Sequence, residues 1–150
     1  MFETTITVVG RLVSDPTRRT VGEQDVVKFR LASSARRRTG EGTWESGDSL
    51  FLNVNCWGRL VTGVVGSLQK GDAVIVVGNV YTSEYDDRDG NRRSSLEMRA
   101  HAVGPDLSRY IVNLKRVENL RDGETQAPES ATEDAGPAAS DDDGPLSLSA

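Results

Sequence analysis

The run Ser49-Leu50-Phe51-Leu52-Asn53-Val54-Asn55-Cys56-Trp57-Gly58 has two unlike faces when read as a strand. Successive side chains of a strand point to opposite sides, so Leu52, Val54 and Cys56 line a core while Phe51, Asn53, Asn55 and Trp57 stand on the other face. Phe51 and Trp57 then lie roughly 20 Å apart at about 3.3 Å per residue. Two large rings among asparagines make a poor core. They suit a surface on which planar ligands such as nucleic-acid bases stack. They suit equally a surface that packs under a loop or a partner subunit, and the strand alone does not choose.

Charge distribution favours the first reading. The net charge of -5 hides a division near residue 121. Residues 1–121 carry all 18 Lys and Arg against 15 Asp and Glu, a net of +3, whereas the remainder holds eight acidic residues and no basic one. A mildly basic body followed by an acidic extension fits a polyanion-binding domain with a separate solvated arm. The acidic balance of the whole chain therefore does not exclude nucleic acid.

At 150 residues, of which about 120 have foldable composition, one core fits and two ordinary domains do not. No apolar stretch approaches the roughly 18 residues of a membrane span, and Met1-Phe2-Glu3 does not begin a signal peptide, so a cytoplasmic, nucleoid-associated protein is expected. A single cysteine rules out an intramolecular disulfide framework and leaves Cys56 a core role.

The body reads as short strands. Thr5 to Val13 ends at Ser14-Asp15-Pro16, where proline cannot continue a ladder. From Val26 to Ala35, Val27, Phe29 and Leu31 alternate with Lys28 and Arg30. A long loop is expected from Arg36 to Asp48. Beyond the Phe51 strand, Leu60, Val61, Val64, Val65 and Leu68 have helical spacing, stopped by Lys70-Gly71-Asp72. Ala73 to Tyr85 and Arg92 to Val103 flank Asp89-Gly90, a strong turn signal for a long hairpin. Three strands, a short helix and two strands make the order of an all-β, five-stranded Greek-key barrel with a helix between its third and fourth strands, the OB-fold pattern.

The segments Val9-Gly10-Arg11-Leu12, Asp15-Pro16, Arg18, Val27-Lys28-Phe29-Arg30-Leu31-Ala32, Trp57-Gly58-Arg59-Leu60, Lys70-Gly71-Asp72 and Tyr85-Asp86-Asp87, in this order and spacing, resemble the bacterial single-stranded DNA-binding proteins. Over about residues 4–107 the chain looks most like the actinobacterial paralogue. The resemblance implies an OB-fold, a homotetramer, and wrapping of single-stranded DNA without strict sequence preference during replication, repair or recombination. It places the stacking aromatics on Phe51, Trp57 and Tyr85. A further tryptophan of many relatives aligns with Arg37, whose guanidinium plane can still stack on a base. Trp44, in the expected loop, either contacts DNA or anchors that loop.

The cluster Arg36-Arg37-Arg38, with Lys28 and Arg30 on the adjoining strand, supplies the positive charge and bidentate donors that phosphates need. Arg92 and Arg93 lie across the hairpin from Tyr85 and serve either phosphate binding or edge protection. Tyr81 shares a strand face with Tyr85, to stack or to fill a subunit contact. The only histidine, His101, has no partner at metal-ligand spacing, and no phosphate loop, nucleophile elbow or paired-histidine zinc pattern occurs. No catalysis, metal or cofactor is expected.

Residues 108–120 show both helical spacing (Tyr110, Ile111, Leu114, Val117) and alternation (Tyr110, Val112, Leu114). The resemblance implies an extra strand there that embraces a neighbouring subunit, giving a domain over 1–121. From Asp122 the composition cannot bury enough apolar area to offset chain entropy, so 122–150 is expected to be a disordered acidic tail. In relatives the tail ends in an acidic run, a proline and a terminal aromatic that docks replication and repair proteins. Asp141, Asp142, Asp143, Pro145 and Leu146 match the first two features, and the aromatic is missing. Two other readings stay open: a protein preferring single-stranded RNA, and an assembly scaffold that touches nucleic acid weakly.

Overall fold

Alternating apolar residues that must leave water draw the strands around one interior, and the computed structural model, which describes residues 1–117, shows how they close. In chain order the elements are β1 (Thr4–Leu12), β2 (Thr17–Val21), β3 (Gln24–Arg38), β4 (Trp44–Trp57), α1 (Leu60–Ser67), β5 (Ala73–Asp86) and β6 (Arg92–Pro105). They form one sheet in the order β1-β5-β6-β4-β3-β2, and an additional β1–β3 pairing closes the first five into a barrel. All paired neighbours are antiparallel except β4 and β6, which run parallel through Asn53↔Glu97, Val54↔Met98 and Asn55↔Arg99.

The expected inward set is inward. Val27, Phe29 and Leu31 of β3, Leu52, Val54 and Cys56 of β4, and Val61 and Val64 of α1 are all buried in one core. Where β1 meets β3, at Arg11↔Ala32, a Cβ on Gly10 would run into the Ala32 carbonyl, so a side chain there would push the closing strands apart. Burial pushes the Cys56 thiol up to about 12, because a thiolate has no solvation in that interior. Cys56 should therefore stay unlabelled by a thiol reagent at pH 8 in native protein and react fully in denaturant; rapid labelling of the native form would place it outside the core.

Two expectations are corrected. A sixth strand, β2, lies between the turn at Ser14-Asp15-Pro16 and the strand expected from Val26: every residue of it is exposed, so it carries no alternation to read. It hydrogen-bonds only to β3, and the Arg18–Asp25 ion pair together with Thr20 Oγ1 donating to Asp25 Oδ1 at 2.9 Å pins it. These partners also hold the Asp25 carboxyl below the usual carboxylate range, Arg18 most of all. The long loop from Arg36 to Asp48 is instead two more strand lengths, since β3 runs to Arg38 and β4 starts at Trp44. Only residues 39–43 turn, clasped by a hydrogen bond of 2.7 Å between Thr39 Oγ1 and Thr43 Oγ1. Beyond Ala32 neither strand meets a third, so this hairpin leaves the barrel as a two-stranded arm.

Paired with nothing else in the chain, residues 108–117 form neither strand nor helix, and residues 118–120 of the expected subunit-embracing strand lie outside the described residues. The segment is tied back by the Ala73 backbone N–H donating to Tyr110 Oη at 2.9 Å. The acidic tail residues, Asp141, Asp142, Asp143, Pro145 and Leu146 among them, lie outside the described residues.

Candidate nucleic-acid interface

Cross-strand partners share a face of a sheet. The register therefore sets Arg30 of β3, Asn53 of β4, Glu97 of β6 and Tyr81 of β5 side by side in one row across four strands, on the outside of the barrel. The adjacent row holds Lys28, Asn55, Arg99 and Asn79. Phe51, one pair further along, lies opposite Ala32 and is 47% exposed. The Arg30 guanidinium carbon sits 5.3 Å from its ring centroid, a cation–π contact. Trp57 closes the other end of β4 opposite Val26 and is half-buried. Lys28, Arg30, Phe51, Tyr81 and Trp57 are thus brought together on one surface, with rings spaced among cations.

The arginine triplet is split. Side chains alternate along β3, so Arg36 and Arg38 share the side of Lys28 and Arg30 while Arg37 projects to the other. Trp44 would stand opposite Phe51 by simple counting along β4. A register shift between Ser34 and Arg36 inserts one extra residue into β4 and pairs Trp44 with Arg38, which turns Trp44 to the Arg38 side. At 65% exposure it anchors no loop.

Tyr85 is exposed on the β5–β6 hairpin, two pairs along from the Ser83↔Ser95 pair's neighbour Tyr81 and on the same face. Its cross-strand partner Arg93 is already engaged, with Nε donating to Asp87 Oδ2 at 3.0 Å. Arg92 alternates to the opposite face and donates to Glu84 at 2.6 Å. Arg92 and Arg93 are thus each tied to a carboxylate of their own hairpin. The Asp87 carboxyl falls below its ordinary range, chiefly through Arg93 and then through the Asn91 backbone N–H. Asp87 Oδ1 accepts from the N–H groups of Asp89 and Asn91 at 3.0 and 2.8 Å, the turn chemistry that aspartate supplies.

Glu97 was not singled out in the sequence. It is 8% exposed, between Asn53 and Tyr81 in the row that starts at Arg30. Asn53 Nδ2 and Ser95 Oγ donate to its Oε1 at 3.3 and 3.1 Å, and Asn55 Nδ2 donates to its Oε2 at 2.9 Å. Lys28 Nζ stands 3.9 Å from Oε1. Alternation along β6 does put Glu97 on the outer face. The parallel β4–β6 register that gives it two asparagine partners joins residues far apart in sequence and leaves no local signal.

The family model described as the single-strand binding protein family matches residues 3–106. The chain belongs to that family. The barrel with α1 between β4 and β5 is accordingly an OB-fold, as a solved structure of the second single-stranded DNA-binding protein of Mycobacterium smegmatis attests at 49% identity and TM-score 0.63, covering 77% of this chain and 100% of that one. The small single-stranded DNA-binding protein of Streptomyces coelicolor is similar at 34% identity and TM-score 0.65, over 73% and 100%. A single-stranded DNA-binding protein of Corynebacterium glutamicum is 44% identical over 118 residues, 76% of this chain and 52% of its own. The chain thus spans about half the length of that relative. One from Paenarthrobacter nicotinovorans is 34% identical over 94% of this chain and 85% of its own.

Proposed function

We propose that this protein binds single-stranded DNA without strict sequence preference, protecting it during replication, repair or recombination, and that it performs no catalysis. The observation that carries this reading is the outer face itself, where Phe51, Tyr81 and Trp57 offer ring surface beside Lys28 and Arg30, with Arg36 and Arg38 continuing the line of charge along β3. Bases of any identity have a π-face to stack, and phosphates of any sequence meet the same cations, so the surface selects for unpaired strands and not for sequence. Tyr85 and Trp44 extend the stacking surface along the two hairpins.

The assembly is proposed to be a homotetramer of the cytoplasm and nucleoid. Supporting self-association, Val9 and Ile75 pair across β1 and β5 with both side chains exposed, and Val77 pairs with Ala102 beside them, an apolar strip on the outside of the barrel. The eight acidic charges beyond Arg121 would compete with phosphate for the cationic face at low salt.

Titration of labelled dT, rU and duplex DNA oligonucleotides of equal length, across several salt concentrations, tests the reading. Tighter binding of dT than of duplex, weakening with salt, is expected; preference for rU would favour the RNA reading, and negligible binding of either at physiological salt would favour a scaffold. The same titration separates the arginines. Arg36→Ala and Arg38→Ala should each flatten the slope of log affinity against log salt by about 0.7, one phosphate contact on a single strand, whereas Arg37→Ala should leave it unchanged. Equal slopes lost by all three would mean that the β3 arm twists its two faces onto one DNA path.

A further inference from the structure

A face that binds a polyanion has no evident use for a carboxylate at its centre, and carboxylates are almost never buried unless paired. Glu97 is nevertheless nearly buried there and accepts from three side-chain donors, Asn53, Asn55 and Ser95, with Lys28 at 3.9 Å. The Asn53 amide continues the connection outward. While its Nδ2 donates to Glu97, its Oδ1 accepts from Arg30 Nη1 at 3.4 Å, and that same guanidinium lies over the Phe51 ring.

We propose that Glu97 is a positioning residue for single-strand binding: through Asn53 it holds Arg30 over Phe51, and directly it holds Lys28, so that ring and cations are set before the strand arrives. The inference rests on the single-strand reading above. Its physical basis is that long cationic side chains left free must lose rotamer freedom on binding, and a polar network that has already fixed them removes part of that cost. Charge at Glu97 is what makes the network work. Two amide N–H groups and a hydroxyl donate to it, and only a carboxylate accepts at both oxygens and also attracts Lys28.

Glu97→Gln keeps the volume, loses the charge and replaces one acceptor by a donor facing an asparagine N–H. Affinity for a dT oligonucleotide should fall about tenfold in otherwise unchanged protein, within the range of coupling between groups that share a network. In a Lys28→Ala/Arg30→Ala background the same change should cost less than about twofold, because the groups that Glu97 positions are gone. A carboxylate that only ties β4 to β6 would cost stability, read by urea unfolding, and the same factor in both backgrounds. That result overturns the proposal, as does E97Q binding as tightly as or more tightly than the parent, the outcome if Glu97 merely repels phosphate. Should E97Q not fold, Asn53→Ala leaves the carboxylate and cuts its link to Arg30: loss of affinity that disappears in Arg30→Ala supports the positioning role, and loss that persists overturns it. A parent protein that fails to bind the oligonucleotide at low salt would instead overturn the single-strand reading, and this inference with it.

Discussion

Replacing Phe51 by alanine should weaken binding of a dT oligonucleotide by about 1–3 kcal/mol, the loss expected for one base-stacking platform. In affinity that is roughly 5- to 150-fold. The ring is half exposed and contributes little to the interior, so the urea midpoint and the oligomeric state should not move. The change also removes the platform beneath the Arg30 guanidinium, so Phe51→Ala and Arg30→Ala should cost less together than the sum of their separate effects. Trp57→Ala should lose affinity by a similar amount but with some stability, because that ring is half-buried beside Val26. Fluorescence anisotropy titration at fixed salt, paired with urea unfolding and sedimentation, reads all three quantities. Unchanged affinity in both variants would remove these rings from the DNA path; dissociation into monomers would give them to a subunit contact.

The separation of Phe51 from the core was legible because a strand with one buried face states its own period, and β4, β3, β5 and β6 all alternate through their central residues. What could not be read locally was set by partners remote in sequence. β2 has a single apolar residue and is held by Asp25 of the neighbouring strand. Trp44 and Leu50 apart, the arms of the β3–β4 hairpin are mostly polar, so composition resembles a loop while backbone hydrogen bonding makes strand. That misreading had a consequence at the site. In a loop Arg36, Arg37 and Arg38 make one cluster, whereas on a strand they divide between two faces. Trp44 shows the converse: its side follows from one extra residue in β4, which no periodicity argument anticipates. Glu97 was invisible for a third reason, since its meaning lies in the only parallel pairing among the described strands.

Phe29 provides the opposite experiment on the same residue type. It sits in β3 between Lys28 and Arg30, points inward, is 1% exposed and ranks first by volume among the fully buried side chains. Truncating such a ring removes its transfer free energy and leaves a cavity that a closed barrel cannot fully collapse, so Phe29→Ala should cost about 3–5 kcal/mol of stability. Against a typical total of roughly 5–15 kcal/mol, that brings the protein close to unfolding at ordinary temperature. The urea midpoint should fall steeply with little change in slope, measured at one protein concentration because assembly adds to apparent stability. In the cold, where most of the variant remains folded, Lys28 and Arg30 still occupy the outer face, and its affinity per folded molecule should stay within a few-fold of the parent. Two phenylalanines on neighbouring strands thus separate the two roles: Phe51 carries affinity and Phe29 carries stability. If Phe51→Ala lowered the urea midpoint as far as Phe29→Ala does, the assignment of inner and outer faces would be wrong, and with it the placing of the rings and cations on one DNA-binding surface.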